Sequence, residues 1–290
     1  MQTPLKIGMP YCPQNMNDKQ QNISLRRFEN GVFSSKIDAV SIEEPLEIRI
    51  EYGSPEDRKT QSLSITMRTP GNDDELAIGF LFTEGIIHKQ NDILSAKHVH
   101  TLPGTYSNYI LVSLSPDLQF DPSKLQRNFY TSSSCGVCGK SSLDSVKTQM
   151  PTKSGKPLPS LSTELILSLP NTLREQQETF ETTGGLHASG LFDTTGNLLY
   201  LREDVGRHNA LDKLIGRALM DGNTPLNEHI LLLSGRASFE LMQKAGMAGI
   251  TCVCAVGAPS SLAVECASEF GITLIGFLRE NRFNIYNGAL

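Results

Sequence analysis

From Leu186 onward the chain alternates short apolar runs with amphipathic ones, and this alternation constrains the fold more than any other feature of the sequence. Leu186–Phe192 and Leu198–Arg202 read as strands joined by an Asp-Thr-Thr-Gly-Asn turn. A helix follows, with Leu211, Leu214, Ile215, Ala218 and Leu219 on one face. Next come a strand over Ile230–Leu233, a helix over Phe239–Ala248 and a strand over Thr251–Val256. A helix over Leu262–Phe270, closed by Gly271, leads into a strand over Ile272–Phe277. Strands alternating with helices predict an α/β layer with largely parallel strands.

In such sheets ligands bind beyond the carboxyl ends of the strands. The segments expected there are 203–209, Ser234-Gly235-Arg236, Gly257-Ala258-Pro259-Ser260 and Arg279-Glu280-Asn281-Arg282. Small residues free backbone N–H groups, helix N-termini attract anions, and guanidinium forks bind phosphate bidentately. The chain carries a net charge of −5 yet gathers Arg207, Arg236, Arg279 and Arg282 at these ends. That points to an anionic ligand. Arg202–Asn209 packs several polar groups around Gly206 just before an apolar helix, which reads as a functional loop. Thr182–His187 enters its strand through two glycines, as a tight turn or a ligand loop.

The first half reads differently. Residues 1–22 are polar and rich in Asn and Gln, without the apolar core of a signal peptide. Lys36–Ile42, Leu46–Tyr52 and Gln61–Met67 alternate like strands. A helix capped by Asn72 or Asp73 runs to about Thr83, with Gly85 ending it. Strand-like runs return at Lys97–Leu102 and Asn108–Leu114, and Pro151–Ser162 reads as a linker. The expected division is a disordered polar tail over 1–24, a mainly β region over 25–130, a cysteine loop and linker over 131–162, and an α/β core over 163–290.

Ser132–Lys140 contains the CxxC pair Cys135 and Cys138, each followed by glycine. Such a pair can bind metal, cycle as a disulfide, carry sulfur, or be inert. Structural zinc needs four ligands, and there is no second CxxC. Both thiols with His187 echo the zinc site of nucleobase deaminases, which place Glu two residues after the His and Pro before the first Cys. Ser189 and Ser134 stand at those places, so the general acid/base is missing. Thioredoxin-type redox chemistry expects the pair to open a helix in a βαβ unit. Sulfur transfer needs an exposed nucleophilic thiolate, whose pKa Lys140 can lower. The residues alone leave these readings open. Cys252, Cys254 and Cys266 read as small core residues, and His98 and His100 as solvated neighbours on one strand face.

The acidic balance argues against general duplex nucleic-acid binding. No apolar run approaches the roughly 18 residues of a membrane helix. Six cysteines in 290 residues do not suggest a disulfide framework. Together these predict a cytoplasmic protein with reduced thiols.

The strings TMRTPGNDDELAIGFLFTEGII (66–87), SSCGVCGK (133–140), TTGGLHASGLFD (182–193) and REDVGRHNALDKLIG (202–216) resemble the FdhD family of formate dehydrogenase accessory sulfur carriers. SGRASFELMQKA (234–245), APSSLAVECA (258–267) and ITLIGFLRENRFNIY (272–286) extend the resemblance over nearly everything after about residue 25. The resemblance implies a cytidine-deaminase-like layered α/β core without deaminase chemistry. It implies a sulfurtransferase that takes persulfide sulfur from a cysteine desulfurase onto Cys135, with Cys138 resolving or sharing it. The sulfur passes to the molybdenum cofactor bis(molybdopterin guanine dinucleotide), bound as substrate, for formate dehydrogenase. GDP is the corresponding fragment analogue. The family pattern places cofactor contacts on Phe277, Leu278, Arg279, Glu280, Asn281 and Arg282. The strand-end reading adds Ser234, Gly235, Arg236 and Arg207, and the Thr182–His187 segment adds His187. A homodimer is expected, with no resident metal, nucleic acid or membrane partner. The alternatives are a zinc-dependent deaminase-like hydrolase and a non-catalytic molybdenum-cofactor chaperone.

Overall fold

The computed structural model describes residues 19–99, 108–120 and 160–290. Strands β1 (Gln20–Glu29) and β2 (Val32–Ser41) form a two-stranded antiparallel hairpin. The pairing starts at Gln20, inside the segment expected to be tail, because each residue from Gln20 to Glu29 finds a partner on β2. At the hairpin tip the Phe28 and Phe33 rings lie 4.9 Å apart, and at its base the Ser41 hydroxyl donates to Thr183 Oγ1 at 2.8 Å.

Strands β3 (Glu44–Ser54), β4 (Asp57–Arg68), β5 (Ile93–His98) and β6 (Tyr109–Leu114) form a sheet in the order β4-β3-β6-β5. Alternation explains them: Leu46, Ile48 and Ile50 on β3, and Ile110, Val112 and Leu114 on β6, are buried on one face. Helix α1 (Asp73–Thr83) has the expected bounds, but the expected cap is not made: Asn72 takes a left-handed conformation and its side chain forms no capping hydrogen bond. The strand expected over Lys97–Leu102 appears as β5, which ends at His98.

Helices α2 (Thr163–Glu175) and α3 (Glu178–Thr183) precede the second sheet. That sheet holds β7 (His187–Phe192), β8 (Leu198–Asp204), β9 (Ile230–Leu233), β10 (Cys252–Ala255), β11 (Thr273–Arg279) and β12 (Arg282–Asn287), in the order β12-β11-β10-β9-β7-β8. Helices α4 (Arg207–Met220), α5 (Phe239–Met247) and α6 (Ser261–Phe270) follow β8, β9 and β10. The expectation of largely parallel strands needs correction. Only β9–β10 and β10–β11 are parallel, whereas β7–β8, β7–β9 and β11–β12 are antiparallel. A short turn can join only antiparallel neighbours, and Asp193 shapes one such turn by accepting from the Thr195 and Asn197 amides, both at 2.9 Å.

All four residues of β9 and of β10 are buried, because both sheet faces are covered. Ile230, Leu232, Cys252 and Cys254 meet Ile166, Leu169 and Leu173 of α2. Leu231, Leu233, Val253 and Ala255 belong to a core shared with α1, α4, α5, α6 and the four-stranded sheet. The layers are therefore α2, six-stranded sheet, helices, four-stranded sheet. No described helix is long and apolar enough to cross a membrane.

The middle of this stack depends on two glycines. A Cβ on Gly79 of α1 would lie 1.8 Å from the Asp212 carbonyl oxygen, and one on Gly216 of α4 would lie 1.9 Å from that of Glu75. The two helix backbones touch, and no side chain fits between them. Buried ion pairs flank the crossing. Arg202 of β8 forks onto the Glu75 carboxylate, Lys213 Nζ lies 2.7 Å from Asp204 Oδ2, and Lys244 Nζ lies 2.8 Å from Asp212 Oδ2. Gly216→Ala is expected to push the helices apart and to cost about 2–3 kcal/mol or more, as overpacking does. Urea unfolding checks this; an unchanged midpoint would mean that the crossing tolerates a methyl group.

Candidate functional site

Strand order decides which loops meet. β9, β10 and β11 run in the same direction, so their carboxyl ends share one edge of the sheet. β7 runs against β9, which puts its start at that edge, and β8 ends there because Asp204 pairs with His187. Helices α4, α5 and α6 begin at this edge from Gly206, Ser238 and Ser260. Three helix N-termini therefore bring partial positive charge to it.

Backbone hydrogen bonds stitch the loops together. Ser234 donates its amide to the Ala188 carbonyl at 3.0 Å, and its hydroxyl accepts from the Ala188 amide at 2.8 Å. Gly257 N–H donates to Gly235 O at 2.8 Å, and Phe277 N–H donates to Gly257 O at 3.0 Å. A Cβ on Gly257 would lie 2.8 Å from Arg236 N, so only glycine permits this approach. Phe277 takes a left-handed φ of 52° at an irregularity in the β11–β12 pairing. Sparsely populated backbone of this kind gathers at functional sites.

These loops and the α2–α3 segment enclose a cavity of about 650 Å³. Of the residues expected to hold the cofactor, His187, Ser234, Leu278, Arg279 and Glu280 line it. Gly235 packs against the His187 ring: a Cβ there would lie 3.2 Å from Nδ1. Arg207 and Arg236 are near enough to act electrostatically on His187. Phe277, Asn281 and Arg282 are exposed and do not line the cavity, because β11 turns back at Glu280-Asn281 into β12, a strand the sequence reading did not anticipate. Cys135 and Cys138 lie outside the described residues.

The opposite wall was missed from sequence. Pro170, Leu173, Arg174, Gln177 and Phe180 come from α2 and α3, read earlier as neither strand nor helix. A signal existed: Ile166, Leu169 and Leu173 share a helical face, and Ser162 caps α2 by accepting from Leu165 N at 3.1 Å. α3 had none, since both oxygens of Glu203 hold its first turn from β8, accepting from Thr179 N at 3.2 Å and Phe180 N at 3.0 Å.

The Arg202–Asn209 loop proves mostly structural. Arg202 binds Glu75, and Glu203 caps α3. Asp204 accepts from Thr69 N, Gly206 N and Asn209 Nδ2 and pairs with Lys213. Asn209 donates to Met67 O. His208 Nε2 lies 3.4 Å from Ser238 Oγ and 3.8 Å from Glu240 Oε2. Arg207 remains, its Nε buried without a hydrogen-bond partner among the described residues. His98 also departs from its solvated reading: Nε2 lies 3.0 Å from Asp73 Oδ2, with the side chain 14% exposed. Cys252, Cys254 and Cys266 are buried as expected, and burial pushes the Cys266 thiol up to about 11.

Burial holds the His187 pKa below its ordinary value, reinforced by Arg207, His208 and Arg236, with Asp204 opposing. The neighbouring His208 holds the Glu240 carboxyl down at about 2. Arg279 Nη1 donates to the Val256 and Leu278 carbonyls at 2.5 and 2.9 Å. The edge thus combines excess positive charge, helix N-termini and an apolar-walled cavity, a combination suited to an anion attached to a flat, largely apolar group.

The FdhD/NarQ family matches residues 41–290. The chain belongs to this family. The relatives include the sulfur carrier protein FdhD of Streptomyces coelicolor, 48% identical over 268 residues, 91% of this chain and 92% of that one. That of Sulfurisphaera tokodaii is 43% identical over 266 residues, 92% of this chain and 96% of that one. A crystal structure described as a formate dehydrogenase accessory protein from Desulfotalea psychrophila has the same fold. Its TM-score is 0.68 at 23% identity, over 93% of this chain and 98% of that one. Every loop of the cavity edge falls within the span matched by the FdhD/NarQ family.

The charge set predicts a pH response. Because the imidazolium of His187 is disfavoured in the fold, its contribution to stability falls as pH drops from about 6.5 towards its lower folded pKa. NMR titration should place His187 below 6.5 in the free protein, and added pyrophosphate should raise it by neutralising the surrounding cations. A free-protein midpoint above 6.5 would contradict this account of the edge.

Proposed function

We propose that the protein is a sulfur carrier in formate dehydrogenase maturation, a sulfurtransferase acting through a persulfide on Cys135. The observation that carries this reading is the match to relatives named sulfur carrier protein FdhD, at 43–48% identity over more than nine-tenths of both chains, together with the Cys135–Cys138 pair in the sequence. The Cys135 thiolate attacks the terminal sulfur of a persulfide on a cysteine desulfurase. A new S–S bond forms on Cys135, the donor S–S bond breaks, and the donor cysteine leaves as thiolate, with no net oxidation. The sulfur is then delivered to the bis(molybdopterin guanine dinucleotide) molybdenum cofactor, which is bound as substrate.

The cavity edge supports the second half of this proposal. Leu173, Phe180, Leu186 and Leu278 offer apolar walls for a heterocycle, and Arg207, Arg236 and the helix N-termini suit its phosphates. Ser189, standing where a deaminase has Glu, is 1% exposed, and its hydroxyl makes no hydrogen bond among the described residues. It supplies no general acid or base for hydrolysis. We read the molecule as a cytoplasmic homodimer with a cytidine-deaminase-like core.

Incubation with a cysteine desulfurase and cysteine should add about 32 Da per sulfur to the wild type and none at this position to Cys135→Ala. The same adduct on the variant, read by mass spectrometry, would rule Cys135 out. Calorimetry tests the cofactor half. GDP should bind, and Arg236→Ala should weaken it by about 1.5 kcal/mol, the lower range for a charge-assisted hydrogen bond because Arg236 is exposed. Equal GDP affinity would move the phosphates away from Arg236.

A further inference from the structure

The cavity wall built by α2 and α3 contains a polar side chain that the fold itself does not use. Gln177, at the junction of the two helices, is only 6% exposed. Its backbone is satisfied: the amide donates to Arg174 O at 3.2 Å, and the carbonyl accepts from Glu181 N at 3.0 Å. Its side-chain amide makes no hydrogen bond among the described residues, although it lines the cavity. A primary amide has two donor hydrogens and an acceptor oxygen with two lone pairs. The polar atoms of this amide are open to the cavity rather than sealed in the protein, so water meets them in the free protein and a ligand entering the cavity can take its place.

The surroundings define that partner. Leu173, Phe180 and Leu278 bound the same cavity with apolar surface. The Arg174 guanidinium lies 4.5 Å from the Phe180 ring centroid and steadies the ring. Glu203 fixes the start of α3, and with it the position of Gln177 relative to the sheet. A flat heterocycle fits between apolar walls, and an amide beside it can pair with its polar edge.

We propose that Gln177 binds the base edge of the nucleotide portion of the ligand, an inference that rests on the cofactor-site reading of this cavity. Its NH₂ donates to the base carbonyl and its oxygen accepts from the adjacent ring N–H, the pairing a primary amide makes with O6 and N1–H of guanine. Rotated by half a turn, the same amide fits N1 and the 6-amino group of adenine. Gln177 therefore confers affinity for a purine edge, and the choice between purines follows from which way the amide faces.

The test is calorimetry of GDP, ADP and pyrophosphate on wild type, Gln177→Met and Gln177→Glu, with thermal melting alongside. Gln177→Met should weaken GDP about tenfold or more, the effect of a bidentate amide–base pair. It should leave pyrophosphate binding and the melting temperature unchanged, because the fold does not use the amide. Gln177→Glu can accept from both N1–H and the 2-amino group of guanine but from only one adenine donor, so the ratio of GDP to ADP affinity should rise. Equal GDP affinity in wild type and Gln177→Met overturns the inference and leaves the sulfur-carrier reading standing. Parallel loss of GDP, pyrophosphate and thermal stability makes Gln177 a structural residue and also overturns it. A wild type that binds no GDP removes the cofactor-site reading and this inference together.

Discussion

The contact between α1 and α4 at Gly79 and Gly216 holds the two halves of the molecule together, and the rest of the architecture is arranged around it. Two helix backbones can approach this closely only where neither carries a Cβ. Close approach excludes water, so every polar group bordering the crossing needs a partner within the protein. Glu75 pairs with Arg202 across the two halves, and the Lys213–Asp204 and Lys244–Asp212 pairs of the C-terminal half hydrogen-bond across to Thr69 and Thr83. Such pairs add little net stability compared with apolar packing, but removing one partner strands a buried charge and costs about 3–5 kcal/mol. They fix one way of docking the halves.

The same seam prepares the site. Asp204 ends β8 and holds Thr69, Gly206 and Lys213. It thereby sets the loop from which α4 starts and presents Arg207 and His208 at the sheet edge. Although Lys213 pairs with Asp204, the carboxylate still opposes part of the positive charge that gathers around His187. Glu203, one residue earlier on β8, points to α3 instead and sets the far wall of the cavity. Two adjacent carboxylates on one strand, Asp204 and Glu203, thus serve the rigid seam and the cavity wall respectively, since successive strand residues face opposite sides.

Much of the fold was legible because it rests on local periodicity. The alternation of Leu46, Ile48 and Ile50, the face of Leu211, Leu214 and Ile215, and the glycine after Phe270 each specify an element without reference to the rest of the chain. The family was legible for a related reason: the long strings bordering the helix crossing and the cavity edge are the places where backbone approach and buried charge leave few residues acceptable. Where local pattern was weak, the reading failed. β1 and β12 pair along their length but bury little, and α3 is only six residues long and buries none.

By itself the sequence determined the succession of strands and helices, the gathering of arginines near strand ends, and the cysteine pair to which the proposed sulfur transfer is assigned. Only the tertiary structure decided the strand order that brings His187 beside Ser234, and the division of Arg202–Asn209 into residues held by partners in the fold and Arg207, whose Nε has none among the described residues. It alone placed Gln177 in a cavity wall. The physical reason is the range of the interactions. Side-chain periodicity acts over a few residues and is written in consecutive letters. Sheet order and buried charge pairing join groups more than a hundred residues apart, such as Arg202 with Glu75 and Lys213 with Thr69, and no local pattern encodes that choice of partner.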